Sequence, residues 1–393
     1  MNLLAKIDKH IAYFLKSKYQ LFYVFVFSLI AVFISRLLMM VFCMIINPEV
    51  GFIEKMCSIW DNNWYYSIIH NGYPVEPSGH AAGNAASWAF FPLDAILIKF
   101  ISLNGIIDYR ITGFVLNNLI FIFAMVLSYK YIIMTRQDYV LALTYILLMT
   151  FGPYNFYFSC LYTESLFLLL VMSALIEMYK EHYIRMGIFA SLLSVCRVTG
   201  VFFVFVVFIF LFCNYYNGKN LAIISYIKQL LINKHLLIGI CIIPLGLFSY
   251  MFYLYHLTGD ALAFQHIQIA WRSGVGKGLF YNIAISLLSL EFIDVYEVFV
   301  FFLVLLTFMF QVRRYPYECV MYLVPVIVQI TTSNSFITLA RYSIGTGVFV
   351  ISFIEMVKKH CSKSAQCIIA IFLLVLSSVL LASWFLVRRI TQG

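Results

Sequence analysis

Asp61 stands in Trp60-Asp61-Asn62-Asn63-Trp64-Tyr65-Tyr66. On a helix, Asp61, Trp64, Tyr65 and Ile68 share one face by the i, i+3, i+4, i+7 rule. A carboxylate flanked by rings suits a sugar, because rings cover its apolar C–H faces and the carboxylate takes hydroxyl protons. The same spacing also serves an interfacial aromatic belt with Asp61 as a helix cap, and the local pattern alone favours that belt. A second acid, Glu164 in Tyr162-Thr163-Glu164-Ser165, falls about two turns into an apolar run, where an ionisable group faces a cavity or a partner. Pairing with Arg197 and catalysis are level readings of Glu164. Arg197-Val198-Thr199-Gly200 and Arg341-Tyr342 put cations at the ends of apolar runs. Guanidinium groups suit bidentate phosphate binding, while snorkelling to headgroups is the plainer role of a single arginine.

Three other segments bear on the site. Asn71-Gly72-Tyr73-Pro74 is a turn signature that ends the Asp61 helix. Asp94 follows Phe90-Phe91-Pro92-Leu93, and its plainer reading is an interfacial residue turned to water. Thr258-Gly259-Asp260 leads into an amphipathic helix, within 257–281, with Gln265, Gln268 and Arg272 on one face. That helix adds Gln265, His266 and Trp271 to the candidate substrate surface; His266 by itself reads as a hydrogen-bonded surface histidine. No His/Cys/carboxylate cluster has the spacing of a tight metal site, so no metal or other cofactor is expected. There is no G-x-S-x-G, Walker A or Gly-rich dinucleotide motif.

The elements that must position these residues are membrane helices. Of 393 residues, 63% are hydrophobic and 11% charged. Soluble domains carry about 25% charged residues, so lipid must be the solvent of this chain. Its apolar runs are long and continuous, which excludes a β-barrel. Spans are expected at 20–46, 110–130, 138–152, 155–178, 184–197, 199–213, 236–256, 282–310, 317–331, 342–357 and 367–387, about eleven in all. The fold class is an all-α polytopic membrane protein, one integral membrane domain over 1–393.

Net charge is +9. The Lys and Arg residues sit in short loops between runs, the pattern of cytoplasmic loops and not of nucleic-acid binding. With residues 1–19 inside, the loops Lys130 to Arg136, Lys180 to Arg185, Lys219 to Lys234, Arg313 to Arg314 and Lys358 to Lys363 are inner, and Arg388 and Arg389 fall outside. This orientation requires residues 89–103 to lie on the outer surface as a helix that does not span. Residues 47–108 then form a long first outer loop, and the polar and aromatic segments gather on the outer side. The nine cysteines lie mostly inside apolar runs as small hydrophobes; Cys57 and Cys160 both face outward and could pair.

In order along the chain, Trp60-Asp61-x-x-Trp64-Tyr65 with Gly72-Tyr73, Phe90-Phe91-Pro92-Leu93, Tyr162-Thr163-Glu164-Ser165-Leu166-Phe167, Arg197-x-x-Gly200, Thr258-Gly259-Asp260 with Trp271, and Arg341-Tyr342 resemble the PIG-V-like (GPI mannosyltransferase 2) family of GT-C glycosyltransferases, especially its bacterial members. The resemblance implies a GT-C-like bundle that moves a sugar, mannose by the family name, from a polyprenyl-phosphate carrier to a glycan, lipid or protein acceptor. It implies inverting transfer on the outer face of a bacterial inner membrane, or of the endoplasmic reticulum, with membrane lipids around it. Asp61 takes the family's general-base position. Arg197 and Arg341 would hold the carrier phosphate, Glu164 would orient hydroxyls, and Trp60, Trp64, Tyr65, Asp94, Tyr162, Gln265, His266 and Trp271 would line the substrate surface. The chain departs from the family at Asp94-Ala95, where Tyr-Pro is usual, at Arg-Val-Thr-Gly for Arg-Ser-Asn-Gly, and at Ala-Arg-Tyr for Pro-Arg-Tyr. Asp94 is thereby a second candidate acid.

The rival readings are a transporter or flippase of lipid-linked sugars, another outer-face transferase, and a non-catalytic assembly subunit. Transporters show inverted repeats and polar residues at mid-membrane, and the two halves of this sequence show no such symmetry. Acyl or phosphoethanolamine transfer needs a nucleophile or metal cluster that the sequence lacks.

Overall fold

The computed structural model describes residues 18–80, 83–216, 226, 232–271, 278–332, 336 and 338–386. The basic tail 1–17, most of the basic loop 219–234, Arg272, Ser333 to Ser335, Arg388 and Arg389 lie outside them. The described helices are α1 (Gln20–Ile46), α2 (Phe52–Met56), α3 (Asn62–Asn71), α4 (Leu93–Ile101), α5 (Tyr109–Arg136), α6 (Tyr139–Phe151), α7 (Glu164–Tyr179), α8 (Tyr183–Cys196), α9 (Phe203–Tyr216), α10 (Lys234–Ile242), α11 (Leu245–Thr258), α12 (Ala263–His266), α13 (Leu279–Leu288), α14 (Phe292–Gln311), α15 (Pro316–Thr332), α16 (Leu339–Gly345), α17 (Val348–His360) and α18 (Lys363–Leu386). One antiparallel hairpin, β1 (Ser78–His80) with β2 (Gly83–Ala85), departs from an all-helical chain.

Among the described residues, six helical segments are long and apolar enough to cross a membrane: α1, α5, Val198–Tyr215, Lys234–Thr258, α14 and α18. The pair α16 and α17, bent by 85°, would make a seventh. Each of the sequence-predicted segments carries a helix, but several are shorter than a span or broken. The expected span 282–310 divides into α13 and α14 at Ser289 to Glu291. The expected 342–357 bends sharply at Gly347 (φ +72°), leaving Arg341 on the short arm. The expected 155–178 opens with a 3₁₀ turn, Asn155–Ser159, and its helix starts at Glu164. Glu164 is therefore the first residue of α7 and not two turns inside a span. The cause is Gly152-Pro153, which ends α6, followed by Tyr154 in the left-handed region (φ +63°).

The core centres on α7. Apart from its ends it is apolar nearly all round, and it is buried on almost every side, as such a helix must be. It packs chiefly on α5 and α8, and α8 in turn on α10. The α8–α10 crossing is close because both helices use glycine there. A Cβ on Gly187 would collide with the Gly239 carbonyl oxygen, and one on Gly239 with the Tyr183 carbonyl oxygen. Small residues permit such backbone approach between apolar helices in lipid, where shape fit replaces the hydrophobic effect.

At the end of the bundle remote from Asp61, Arg136 grips Glu318 with two bonds of 2.5 Å, and Tyr131 donates to the same carboxylate. Glu355 accepts from Arg314 at 2.7 Å, and Lys358 pairs with Asp138. Basic residues at these helix ends are thus cross-braced to acids on neighbouring helices. The outward faces of α1 and α18 are lined by Phe33, Ile45, Ile368 and Phe372, each exposed, as a lipid-facing surface requires.

Candidate active site

The short helices between α1 and α5 hold Asp61 in place. Asn62, fully buried, donates to the Ile59 carbonyl at 2.7 Å and accepts the Leu161 N–H at 2.7 Å. That bond ties the start of α3 to the turn that leads into Glu164. Asp61 occupies the N-cap position of α3 but makes no capping bond, so the cap reading fails. Its carboxylate, 32% exposed, instead accepts from Nη1 of Arg341 at 2.6 Å. Gly72 (φ +80°) ends α3 as expected.

Arg341 turns its Nε to Glu164, and Glu164 also pairs with Arg197. Arg197 Nε donates to the Thr163 hydroxyl at 2.6 Å. The result is a chain of alternating charge, Asp61, Arg341, Glu164, Arg197, in which only the Asp61 end is substantially exposed. Every member sits at or near a helix end. Glu164 takes the first turn of α7, where the helix dipole favours a carboxylate. Arg197 follows the last residue of α8 in extended backbone and precedes the 3₁₀ turn Val198–Phe202. That turn folds back so tightly that a Cβ on Gly200 would strike the Leu193 carbonyl oxygen, which explains the Arg197-x-x-Gly200 spacing.

Aromatic rings wall the cluster. The Arg341 guanidinium lies over Tyr162 at 4.1 Å and Tyr157 at 5.1 Å, and Arg197 lies over Tyr342 at 5.2 Å. Such contacts hold a weakly hydrated cation without neutralising it. Trp64 stacks on Phe90 (5.8 Å, 13°) and meets Trp271 edge-on at 5.4 Å. Tyr65 is buried against Phe90 and Tyr162, and burial pushes its hydroxyl well above the usual tyrosine range.

The other sequence candidates divide. Trp60 projects at the surface, 59% exposed, and adopts the left-handed region (φ +54°). Gln265 is exposed, and His266 pairs with Asp260 at 2.7 Å, a bond that pulls the Asp260 carboxyl below its usual range. Neither Gln265 nor His266 contacts the charge chain among the described residues. The expected amphipathic helix is only α12 plus the 3₁₀ turn Ile267–Ala270, with Arg272 outside the described residues. Cys57 and Cys160 are both buried free thiols.

Asp94 overturns its expectation. It is fully buried, not turned to water, and neither carboxylate oxygen has a hydrogen-bond partner. Burial pushes its carboxyl up to about 7. The neighbouring Asn117 opposes this, although its N–H groups are directed to the carbonyls of Cys160 (2.6 Å) and Tyr162 (3.4 Å). The Asn117 Oδ1 is itself buried without a partner, so a neutral Asp94 is the form that suits this environment.

Near the site, sequence reading missed Glu297 and Arg36, ionisable residues inside apolar runs. Glu297 on α14 is buried and accepts the Ala340 N–H at 2.7 Å, together with the Tyr154 hydroxyl at 3.3 Å. It thereby anchors the first turn of α16, one residue before Arg341. Arg36 on α1 is buried and donates to Asn118 Oδ1 at 2.8 Å. An acid or base within a span is itself a signal, and both positions carried it.

No protein-family model and no curated protein matches this chain. Two crystal structures of the Archaeoglobus fulgidus oligosaccharyltransferase are similar to it. One, tethered by a disulfide to an acceptor peptide with an NVT sequon, gives a TM-score of 0.51 at 12% identity; the apo form gives 0.55 at 11%. The fold is GT-C-like. The matches cover 95% and 94% of this chain but 56% of the archaeal one, so this chain spans little more than half the length of its structural neighbour. At such identity the likeness is one of fold, and the narrower PIG-V-like resemblance has no counterpart among these matches.

Proposed function

We propose that the protein is an inverting glycosyltransferase that moves a sugar, mannose by resemblance, from a polyprenyl-phosphate carrier to an acceptor on the outer face of the membrane. One observation carries the reading: the residue expected to be the base and a cation expected to hold the phosphate touch each other, Asp61 on Arg341 at 2.6 Å. Three ordered segments far apart in sequence, around 61, 164 and 341, converge on that contact.

The chemistry follows from the charges. An acceptor oxygen bonds the sugar C1 as the bond from C1 to the phosphate oxygen breaks. The hydroxyl proton passes to Asp61 and the electron pair leaves on the phosphate. The diester carries about one negative charge and the released monoester about two, while protonated Asp61 loses one, so the net charge of the site is conserved through the step. Arg341 trades Asp61 for the phosphate when the donor binds, which frees the carboxylate to act as base and places a cation where charge develops. Glu164 does not reach the reacting atoms in this scheme. It positions both guanidinium groups. The flippase alternative gains nothing from the geometry, since the four-residue charge chain from Asp61 to Arg197 lies at or near helix ends.

The test is Asp61→Asn in reconstituted membranes with a polyprenyl-phosphate sugar donor. Transfer falls by at least ~1000-fold, in line with loss of a general base, while thermal unfolding stays within a few degrees of wild type. Near-normal turnover would sink the proposal.

A further inference from the structure

Along α3 from Asp61 lies a cleft of about 230 Å³, lined by Trp64, Ser67, Asn71, Tyr73, Ser78 and Ser87, among others. Trp64, Ser67 and Asn71 recur at i, i+3 and i+7, so one face of α3 forms its wall. That wall starts ~4.5 Å from Asp61 along the helix axis, at Trp64, and ends ~15 Å away, at Asn71, by the 1.5 Å rise per residue. The volume is below the ~300 Å³ at which pockets for drug-sized molecules begin, so it suits one ring and not an extended chain.

Its chemistry is narrow. None of the described residues lining it is charged. Trp64 and Tyr73 present rings, and Tyr73 has committed its hydroxyl to the Phe90 carbonyl at 2.6 Å. Asn71 has its Oδ1 on the His70 ring at 2.8 Å, which leaves its amide N–H groups as donors. Ser87 is 2% exposed and its Oγ has no hydrogen-bond partner. A buried hydroxyl without a partner at a cleft wall is costly unless a ligand satisfies it. Rings for C–H faces together with neutral donors and acceptors for hydroxyls describe a pyranose. An acyl chain would leave the hydroxyls unpaired, and an acidic or basic peptide would find no counter-charge.

We propose that this cleft is an acceptor subsite for one neutral saccharide unit, next to the unit whose hydroxyl reacts at Asp61. The acceptor is then a glycan, not a peptide or a simple lipid. The inference rests on the transferase reading for its biological sense, but its test does not use transfer.

The test titrates the full-length protein in nanodiscs with methyl glycosides of mannose, glucose, galactose and N-acetylglucosamine, reading tryptophan fluorescence. At least one should saturate with a Kd on the order of millimolar. Ser67→Phe, which fills the cleft, should weaken that binding at least ten-fold. Asn71→Ala, at an exposed position that tolerates the change, should weaken it several-fold with unfolding unaltered. The proposal fails if no glycoside saturates, if Ser67→Phe binds as wild type does, or if a blocked neutral peptide saturates in their place. Saccharide binding lost in Ser67→Phe stands whatever Asp61→Asn does to turnover. A wild type that binds no glycoside sinks the subsite alone.

Discussion

Replacing Asp94 by asparagine converts a titratable buried group into a permanently neutral one of nearly the same shape. In the unfolded chain the carboxyl ionises near its ordinary 3.8, whereas in the fold burial raises it to about 7. Between those values the folded protein holds a proton that the unfolded chain has released. Stability from this group is therefore fully present below pH ~4 and is lost as pH rises through ~7. At 1.36 kcal/mol for each pH unit, a gap of roughly three amounts to on the order of 4 kcal/mol above pH 7, an upper bound because water can reach a loosened site. The substituted amide cannot ionise and can donate to the unpartnered Asn117 Oδ1. Asp94→Asn should match wild type near pH 4 and exceed it at pH 8. At about 2 °C per kcal/mol, the low end for larger domains, the gap in apparent Tm is up to ~8 °C. Scanning fluorimetry of both proteins across pH 4 to 8 isolates the group, because every other carboxylate cancels in the difference. A constant difference across pH, or a variant less stable at pH 8 than at pH 4 relative to wild type, refutes the reasoning. Turnover should survive, since Asp94 makes no hydrogen bond to any member of the charge chain.

Glu164→Gln removes the carboxylate shared by two buried guanidinium groups and should cost ~3–5 kcal/mol of stability, visible in the unfolding temperature, together with most of the transfer activity. Glu297→Gln keeps the shape but weakens the anchor of the Ala340 N–H; about 1–2 kcal/mol is expected, with kcat falling more than KM rises as Arg341 loosens. Gly187→Ala forces the α8 and α10 backbones apart, because its methyl group would overlap the Gly239 carbonyl, and should lower stability by ~1–3 kcal/mol, measured by the loss of folded protein on heating.

The helical membrane architecture was legible because an apolar run of sufficient length admits one solution in lipid. The breaks inside those runs were not. Ser289 to Glu291 and Gly347 interrupt segments that still read as continuous hydrophobic stretches, since hydropathy records composition and not backbone direction. Glu164 shows the same limit, its helix starting a full 3₁₀ turn later than the run that contains it. Pairing of Glu164 with Arg197 was one of two level readings, open because an acid and a base in neighbouring apolar runs have few other partners, and the two residues do pair. That Asp94 faces inward was not readable, because α4 carries apolar groups around its whole circumference and sequence does not say which side meets the bundle.

The pattern among the acids has a physical logic. Asp61, Glu164, Glu297 and Asp94 stand in graded environments: one partly exposed and paired, one buried and paired twice, one buried on neutral donors, one buried without partners. Only the first combines access with a cation that a phosphate can displace. A group that must take a proton during a reaction needs solvent or substrate at its oxygens, and a group that must hold two cations in register needs to be shielded from both. Burial therefore fits the proposed division of roles, with Asp61 as base, Glu164 and Glu297 as positioning groups, and Asp94 as a neutral buried carboxyl.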